Sequence, residues 1–174
     1  MRLRDQLPDV IETKRLLLRA PHVSDLDDLV HEANNWAVLE PTASLPFPYL
    51  QEHARAFIER FSAKPDKRSY VIAGRDTDRL KGVIGLYFHD EKPTELGYWL
   101  GQAHWGQGFA PEAVLGVLNA AAAIGLTPIR ARVLTANGGS VRVLEKSGFA
   151  TVEHTHSVVE RHRGKPLLVM EWRA

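Results

Sequence analysis

One stretch constrains this chain more than any other: two glycines set between a strand-like run and a long apolar helical one. Thr94-Glu95-Leu96-Gly97-Tyr98-Trp99-Leu100 is the strand, Trp105-Gly106-Gln107-Gly108-Phe109-Ala110 the turn, and Pro111 opens a helical run that lasts to about Ile124. Glycine lets backbone N–H groups converge without a Cβ in the way. The first N–H groups of a helix have no partner inside it, and the dipole is positive there. Proline is favoured in a first helical turn, so Pro111 supports that start. The turn therefore offers Trp105, Gly106, Gln107, Gly108, Phe109 and Ala110 as a backbone cradle for a phosphate. A ligand-free strand-to-helix turn has the same look. The third glycine of a dinucleotide fingerprint is missing, and so is the Gly-Lys-Ser/Thr end of a P-loop.

Around this turn, short strands alternate with helices. Leu16-Leu17-Leu18-Arg19 reads as a buried strand. Ser24 reads as the cap of a helix whose Asp25, Asp27 and Asp28 sit where the dipole favours acids. These acids, with Glu32, read as a solvated face. Pro41, Pro46 and Pro48 make residues 40 to 49 an irregular loop, and Gln51 to Phe61 carries apolar residues at helical spacing. Ser69 to Ala73, Gly82 to Phe88 and Thr94 to Leu100 are strands separated by polar turns. Gly125 is placed to stop the long helix. Ile129 to Leu134 then reads as a strand and Ser140 to Lys146 as a short helix ended by Gly148. Phe149 to His156 and Leu167 to Trp172 close the chain as strands. Such an order predicts an α/β (α+β) protein, a mixed sheet covered by helices, in a single domain spanning residues 1–174.

Charge and composition exclude several function classes. The 22 basic and 21 acidic side chains are interspersed, with a net charge of +1, so nothing favours nucleic acid as a partner. There is no cysteine, which removes disulfides, thiolate nucleophiles and sulfur-rich metal sites. His154 and His156 share a strand face but lack a third ligand, and no metal is expected. No Gly-x-Ser-x-Gly elbow marks a serine hydrolase. The charged Met1–Gln6 leads into no apolar run and does not read as a signal peptide. The longest apolar run, Ala113 to Leu126, is interrupted by Asn119 and falls short of the ~20 residues of a membrane span. A cytoplasmic protein is expected.

A second motif follows one strand after the glycine turn: Asn137-Gly138-Gly139-Ser140-Val141-Arg142-Val143-Leu144-Glu145-Lys146-Ser147-Gly148-Phe149. Alone, Asn-Gly-Gly is a turn and Asn137 a helix cap. Together with the glycine turn, Thr13-Lys14-Arg15-Leu16-Leu17-Leu18-Arg19 and Gly97-Tyr98-Trp99-Leu100, it resembles the GNAT superfamily of N-acetyltransferases. The similarity is greatest to the RimJ/RimL-like branch, which acetylates ribosomal-protein N-termini, and it runs from residue 12 to 173. It implies a mixed, mostly antiparallel, seven-stranded GNAT sheet, flanked by helices and splayed between its fourth and fifth strands. Acetyl-CoA is implied as cosubstrate in that splay, its pyrophosphate on the loop Trp105 to Ala110 and its pantetheine amide on Asn137. Trp105 stands where the superfamily pattern has Gln or Arg; Trp is common there in this branch.

An amine attacks a thioester only when neutral. An α-amine, with a pKa near ~8, is roughly one-tenth free at neutral pH, and a lysine side chain far less. A base therefore has modest work to do, directly or through a water. Glu95 is the candidate, because the resemblance implies a carboxylate base at this strand position; a solvent-facing strand carboxylate is the plainer reading. The oxyanion calls for an N–H donor, and a backbone amide near Trp99 or Leu100, unpaired where the strands diverge, would supply it. The tyrosine with which many superfamily members protonate the leaving thiolate would stand at Leu144. The resemblance then leaves Ser140 to hydrogen-bond the sulfur, unless it is simply a polar residue in a helix's first turn. The expectation is an N-acetyltransferase working by direct attack in a ternary complex on a primary amine, foremost a peptide or protein N-terminus such as a ribosomal protein's. Phe47 and Tyr49 in the proline loop would wall off a small first side chain. A small-molecule amine acceptor (amino acid, polyamine or antibiotic) and a non-catalytic CoA-binding sensor are the alternatives, and the chain fits a monomer or a homodimer.

Overall fold

The sheet that organises this protein has eight strands in the order β1-β2-β3-β4-β5-β6-β8-β7. A computed structural model describes residues 2–174; Met1, part of the amino-terminal reading above, lies outside them. The strands are β1 (Ile11–Glu12), β2 (Leu16–Arg19), β3 (Lys67–Gly74), β4 (Leu80–Tyr87), β5 (Thr94–Leu100), β6 (Ile129–Leu134), β7 (Ala150–His156) and β8 (Pro166–Trp172). The count exceeds the expected seven by β1, a two-residue strand too short to show any periodicity. All neighbours pair antiparallel except β5 and β6.

That exception positions the cleft. β4 and β5 stay paired from Tyr87–Glu95 to Gly82–Leu100. β5 and β6 meet only at Thr94–Ile129 and Glu95–Arg130. Beyond Glu95 the two strands separate, and the sheet opens into the expected V.

Helices cover both faces. α5 (Phe109–Ala123) and α6 (Gly138–Lys146) pack on one, around Leu18, Ile84, Leu96, Val117, Leu118 and Ile129. α2 (Leu26–Ala33) and α4 (Gln51–Glu59) cover the other, where Leu29, Tyr49, Ala54, Val71 and Val83 are buried. Each buried aliphatic side chain contributes about 1.5–3 kcal/mol from apolar burial. The alternation of β5 follows from these two cores: Leu96, Tyr98 and Leu100 face α5 and α6, while Trp99 faces α2. Two short helices escaped the periodicity reading, α1 (Leu3–Gln6) and α3 (Trp36–Leu39), the latter capped by Asn35. Gly125 and Gly148, just past the ends of α5 and α6, take the left-handed φ values of +71° and +94° expected of helix stops.

Two expectations about α2 are overturned. Ser24 does not cap it. Val23–Asp25 form a 3-10 turn, and the Asp25 carboxylate accepts from His22 N at 2.7 Å. Nor, Asp27 apart, are the acids of this helix a solvated face. Asp25 is buried and forks onto Arg19 at 2.8 and 3.0 Å, Asp28 pairs with Arg79 at 2.6 Å, and Glu32 with His104 at 2.9 Å. Each partner comes from a distant segment, which helical spacing does not reveal. No helix among the described residues is long and apolar enough to cross a membrane.

Candidate active site

The glycine turn is shaped by its backbone. Gly106 and Gly108 have φ of +70° and +78°, a region that costs other residues roughly 1–2 kcal/mol. Gly108 is the N-cap of α5 and supplies no side-chain cap, so the first N–H groups of this 15-residue helix are open to a ligand. The side chains of the turn support the loop itself. Trp105 Nε1 donates to Leu100 O at 2.9 Å and Gln107 Nε2 to Ala103 O at 2.8 Å.

Arg15, a residue assigned no role from the sequence, holds this turn from the other side. Its Nε donates to Glu112 Oε2 at 2.7 Å, its backbone N to Glu112 Oε1 at 2.6 Å, and its guanidinium to Gln107 O at 2.9 Å. The same guanidinium lies 4.4 Å above the Phe109 ring. A Cβ on Gly108 would come within 3.3 Å of Arg15. Thr13 Oγ1 adds a 2.6 Å hydrogen bond to Glu112. Burial pushes the Glu112 carboxyl up, but the bonds from Thr13 and Arg15 and the charge of Arg15 outweigh it and hold the group below the ordinary carboxylate range. The Thr13–Arg19 run was the only sequence signal for this arrangement. An uncapped helix N-terminus, two glycines at positive φ and an arginine alongside suit a pyrophosphate.

The register of β5 decides which amides face the cleft. Gly101 N donates to Lys81 O and Phe88 N to Asp66 O, both at 2.8 Å. Antiparallel alternation then gives the β4–β5 ladder bonds to Val83–Trp99, Gly85–Gly97 and Tyr87–Glu95. The Trp99 amide, one of the two expected oxyanion donors, is spent in the ladder, and its indole packs against α2. The amides of Tyr98 and Leu100 point into the splay.

Across the splay, Asn137 caps α6 by accepting from Ser140 N at 3.3 Å. Ser140 Oγ meets the Tyr98 hydroxyl at 2.8 Å. Gly138 and Gly139 precede it in the first turn, so the positive end of α6 is also turned toward the cleft. Burial pushes the Tyr98 phenol up to about 12, against the opposing Ser140 bond, so it stays protonated at any assay pH. Leu144 is buried in the core.

Glu95 lies on the opposite face from Tyr98, at the closed end of the V. It is half-buried beside a cavity of about 260 Å³ shared with Arg130, Arg132 and Glu153. Glu95 and Ser140 are therefore not side by side; β5 stands between them. Further along the Glu95 face, Glu32 presses against Gly101, where an added Cβ would come within 1.8 Å of its carboxylate. With His104 it forms a carboxylate–imidazole pair that no local pattern marked. The proline loop is irregular as expected, and its two aromatics part ways. Tyr49 is buried, its N–H bonded to Asn34 Oδ1 at 3.0 Å, and its phenol is pushed up to about 12 by burial. Phe47 stays exposed, edge-on to Trp36 at 5.3 Å. Arg161, from the β7–β8 turn, ties this loop down through Leu39 O at 2.9 Å and Leu45 O, and Lys165 holds Glu40 at 2.8 Å.

The family model described as acetyltransferase (GNAT) domain matches residues 15–150. The chain belongs to the GNAT acetyltransferase family. Among curated relatives, YoaA of Bacillus subtilis, an uncharacterised N-acetyltransferase, is 32% identical over 151 residues, 80% of this chain and 82% of that protein. The similarly uncharacterised N-acetyltransferase p20 of Bacillus licheniformis is 29% identical over 147 residues, 81% of this chain and 82% of that one. A GNAT-family acetyltransferase from Bacillus anthracis superposes with a TM-score of 0.83 at 18% identity, covering 94% of this chain and 98% of that one. RimL, a ribosomal L7/L12 α-N-protein acetyltransferase, gives 0.78 at 19%, covering 95% and 94%. Spermidine N-acetyltransferase from Vibrio cholerae, solved with CoA and spermine, gives 0.74 at 20%, covering 91% and 95%. This GNAT protein is thus an acetyltransferase whose structural neighbours act on quite different amines.

Proposed function

We propose that the protein transfers acetyl from acetyl-CoA to the α-amine of a peptide or protein N-terminus by direct attack in a ternary complex. The pyrophosphate would rest on the α5 N-terminus between Gly106, Gly108 and Arg15, and pantetheine would run past Asn137 into the splay. The Tyr98 and Leu100 amides are placed to take the oxyanion. Glu95 is the base, acting on one face of β5, and Ser140 receives the sulfur on the other. Attacking amine and leaving thiolate are thereby kept apart.

The observation that carries the acceptor is the state of the acids along the α2 face. A polyamine needs a strip of uncommitted carboxylates. Here Asp25, Asp28, Glu32 and Glu40 are each bonded to Arg19, Arg79, His104 and Lys165. Asp27 and Glu52 stay exposed as single carboxylates rather than a strip, and the same side exposes three apolar side chains, Trp36, Phe47 and Leu50, a shelf suited to a short peptide's side chains. RimL, which has the same fold, is an α-N-protein acetyltransferase, and this supports the reading. The test compares acetyl transfer to Ala- and Ser-led peptides with the same peptides blocked at the α-amine, and with spermidine. Transfer to the free peptides alone is expected. If blocked peptides react equally, or spermidine is preferred by orders of magnitude in kcat/KM, the assignment falls.

A further inference from the structure

We infer that Tyr98 is a positioning residue for the leaving group: its hydroxyl donates to Ser140 Oγ across the splay and so aims the serine's own hydrogen at the sulfur. The inference rests on the role given to Ser140 above and deepens it.

A lone serine hydroxyl is a rotor with one hydrogen and several acceptors within reach. On α6, a first-turn serine can turn its hydrogen back to its own helix and leave the cleft with an acceptor only. The 2.8 Å contact with Tyr98 removes that freedom, provided the phenol is the donor. Two observations accord with that direction, in a contact where either hydroxyl can donate. Burial keeps the phenol protonated. The Ser140 backbone N is already engaged by Asn137 Oδ1, which fixes the serine's place in the turn. With Tyr98 occupying one oxygen lone pair, the Ser140 hydrogen is directed elsewhere, and the open volume beside it is the V. Tyr98 reaches this point from β5 because the side chains at 96, 98 and 100 share the α5–α6 face. Its ring packs against that core, so the hydroxyl arrives on a rigid support. Leu144, buried in the core, supplies no hydroxyl.

In the transfer step the amine nitrogen bonds to the acetyl carbon, and the C–S bond breaks with its electron pair passing to sulfur. The proton from nitrogen goes to Glu95, directly or through a water. The sulfur departs as a thiolate that accepts from Ser140 Oγ–H, while Tyr98 O–H donates to the same oxygen. No proton crosses from Tyr98. A hydrogen-bonded chain of this kind strengthens its terminal donor, here at the moment negative charge forms on sulfur.

The chain has no cysteine, so in a complex with CoA the only thiol is the ligand's. Its ionisation can be followed by thiolate absorbance in the full-length protein saturated with CoA, for wild type, Tyr98→Phe, Ser140→Ala and the double variant. The wild-type complex is expected to hold the thiol below its value in free CoA. Tyr98→Phe should raise it by about one unit, tenfold in acidity. Ser140→Ala should raise it at least as far, and the double variant no further than Ser140→Ala. CoA affinity, measured alongside, reports whether each variant keeps its fold and cleft, and kcat should fall about tenfold in Tyr98→Phe with KM for acetyl-CoA unchanged. If Tyr98→Phe leaves the bound thiol at its wild-type value while Ser140→Ala raises it, the tyrosine has no positioning role and the serine reading stands. If Tyr98→Phe raises it and Ser140→Ala does not, the phenol acts on sulfur itself and the relay is wrong. If neither variant moves it, Ser140 is not at the sulfur and both readings fall together.

Discussion

At the α5 end of the cleft the groups offered to a ligand belong to the backbone, whereas along the α2 face they are side chains gathered from residues far apart in sequence. The first region spans only Trp105 to Ala110, with Arg15 and Glu112 bracing it. The second takes Trp36 from α3, Phe47 from the proline loop, Glu32 from α2, His104 from beyond β5, and Arg161 from the β7–β8 turn. A backbone cradle leaves few ways to vary, because a Cβ at Gly108 meets both a positive φ and Arg15. A side-chain shelf can be rebuilt without disturbing the sheet. One fold can in this way keep its donor and change its acceptor.

The largest expected effect would break the donor side alone. Gly108→Val forces a branched side chain to φ +78°, a strain on the order of 1–3 kcal/mol, and blocks the approach of a phosphate. CoA affinity should fall by roughly 100-fold or more, and with it the rise in melting temperature that a folded-state ligand gives by mass action. No thermal shift in the wild-type protein at millimolar CoA would remove the cradle altogether.

Glu95→Gln comes next, and it sharpens the division by leaving the donor untouched. Removing a general base should lower kcat by about 10²-fold near pH 6.5, where little α-amine is free, and by much less near pH 9. CoA affinity should not move. An equal loss at every pH would mean that Glu95 positions the acceptor rather than taking its proton.

Arg161→Ala should act on the acceptor side only. Freeing the Leu39 and Leu45 carbonyls loosens the shelf, and the peptide KM should rise about tenfold with CoA affinity unchanged. A matching loss of CoA affinity would show that the two regions are one unit.

These regions also differ in how far the sequence discloses them. The turn, α5, α6 and the strands around them are local patterns of period or glycine placement, and they stand where the residues implied. The splay is a matter of register, which no single strand carries; so is the direction of the β5 amides, which moves the second candidate donor from Trp99 to Tyr98. Ion pairs are the least legible. Asp28 and Arg79, or Glu32 and His104, look like ordinary surface charges until the chain brings them together. Tyr98 was visible only as a strand aromatic, because its partner lies across the cleft on another element.

The smallest effect expected is on stability. Glu112 has a folded-state pKa below its unfolded value, so its contribution is fully present above the unfolded value and is lost as the pH falls through the folded one. Glu112→Gln should therefore cost about 1.5–3 kcal/mol near neutral pH, the worth of hydrogen bonds to a charged group, and progressively less below about pH 4. Denaturant midpoints for the two proteins across that range would show it. A constant difference at all pH values would mean that shape, not charge, is what Glu112 supplies.

The most direct test of the two-region account is calorimetric titration of acetyl-CoA into wild type, Gly108→Val and Phe47→Ala under identical conditions. Equal dissociation constants are expected for wild type and Phe47→Ala, within a factor of about two, and no measurable binding for Gly108→Val. Loss of acetyl-CoA binding in Phe47→Ala, or its retention in Gly108→Val, would contradict it.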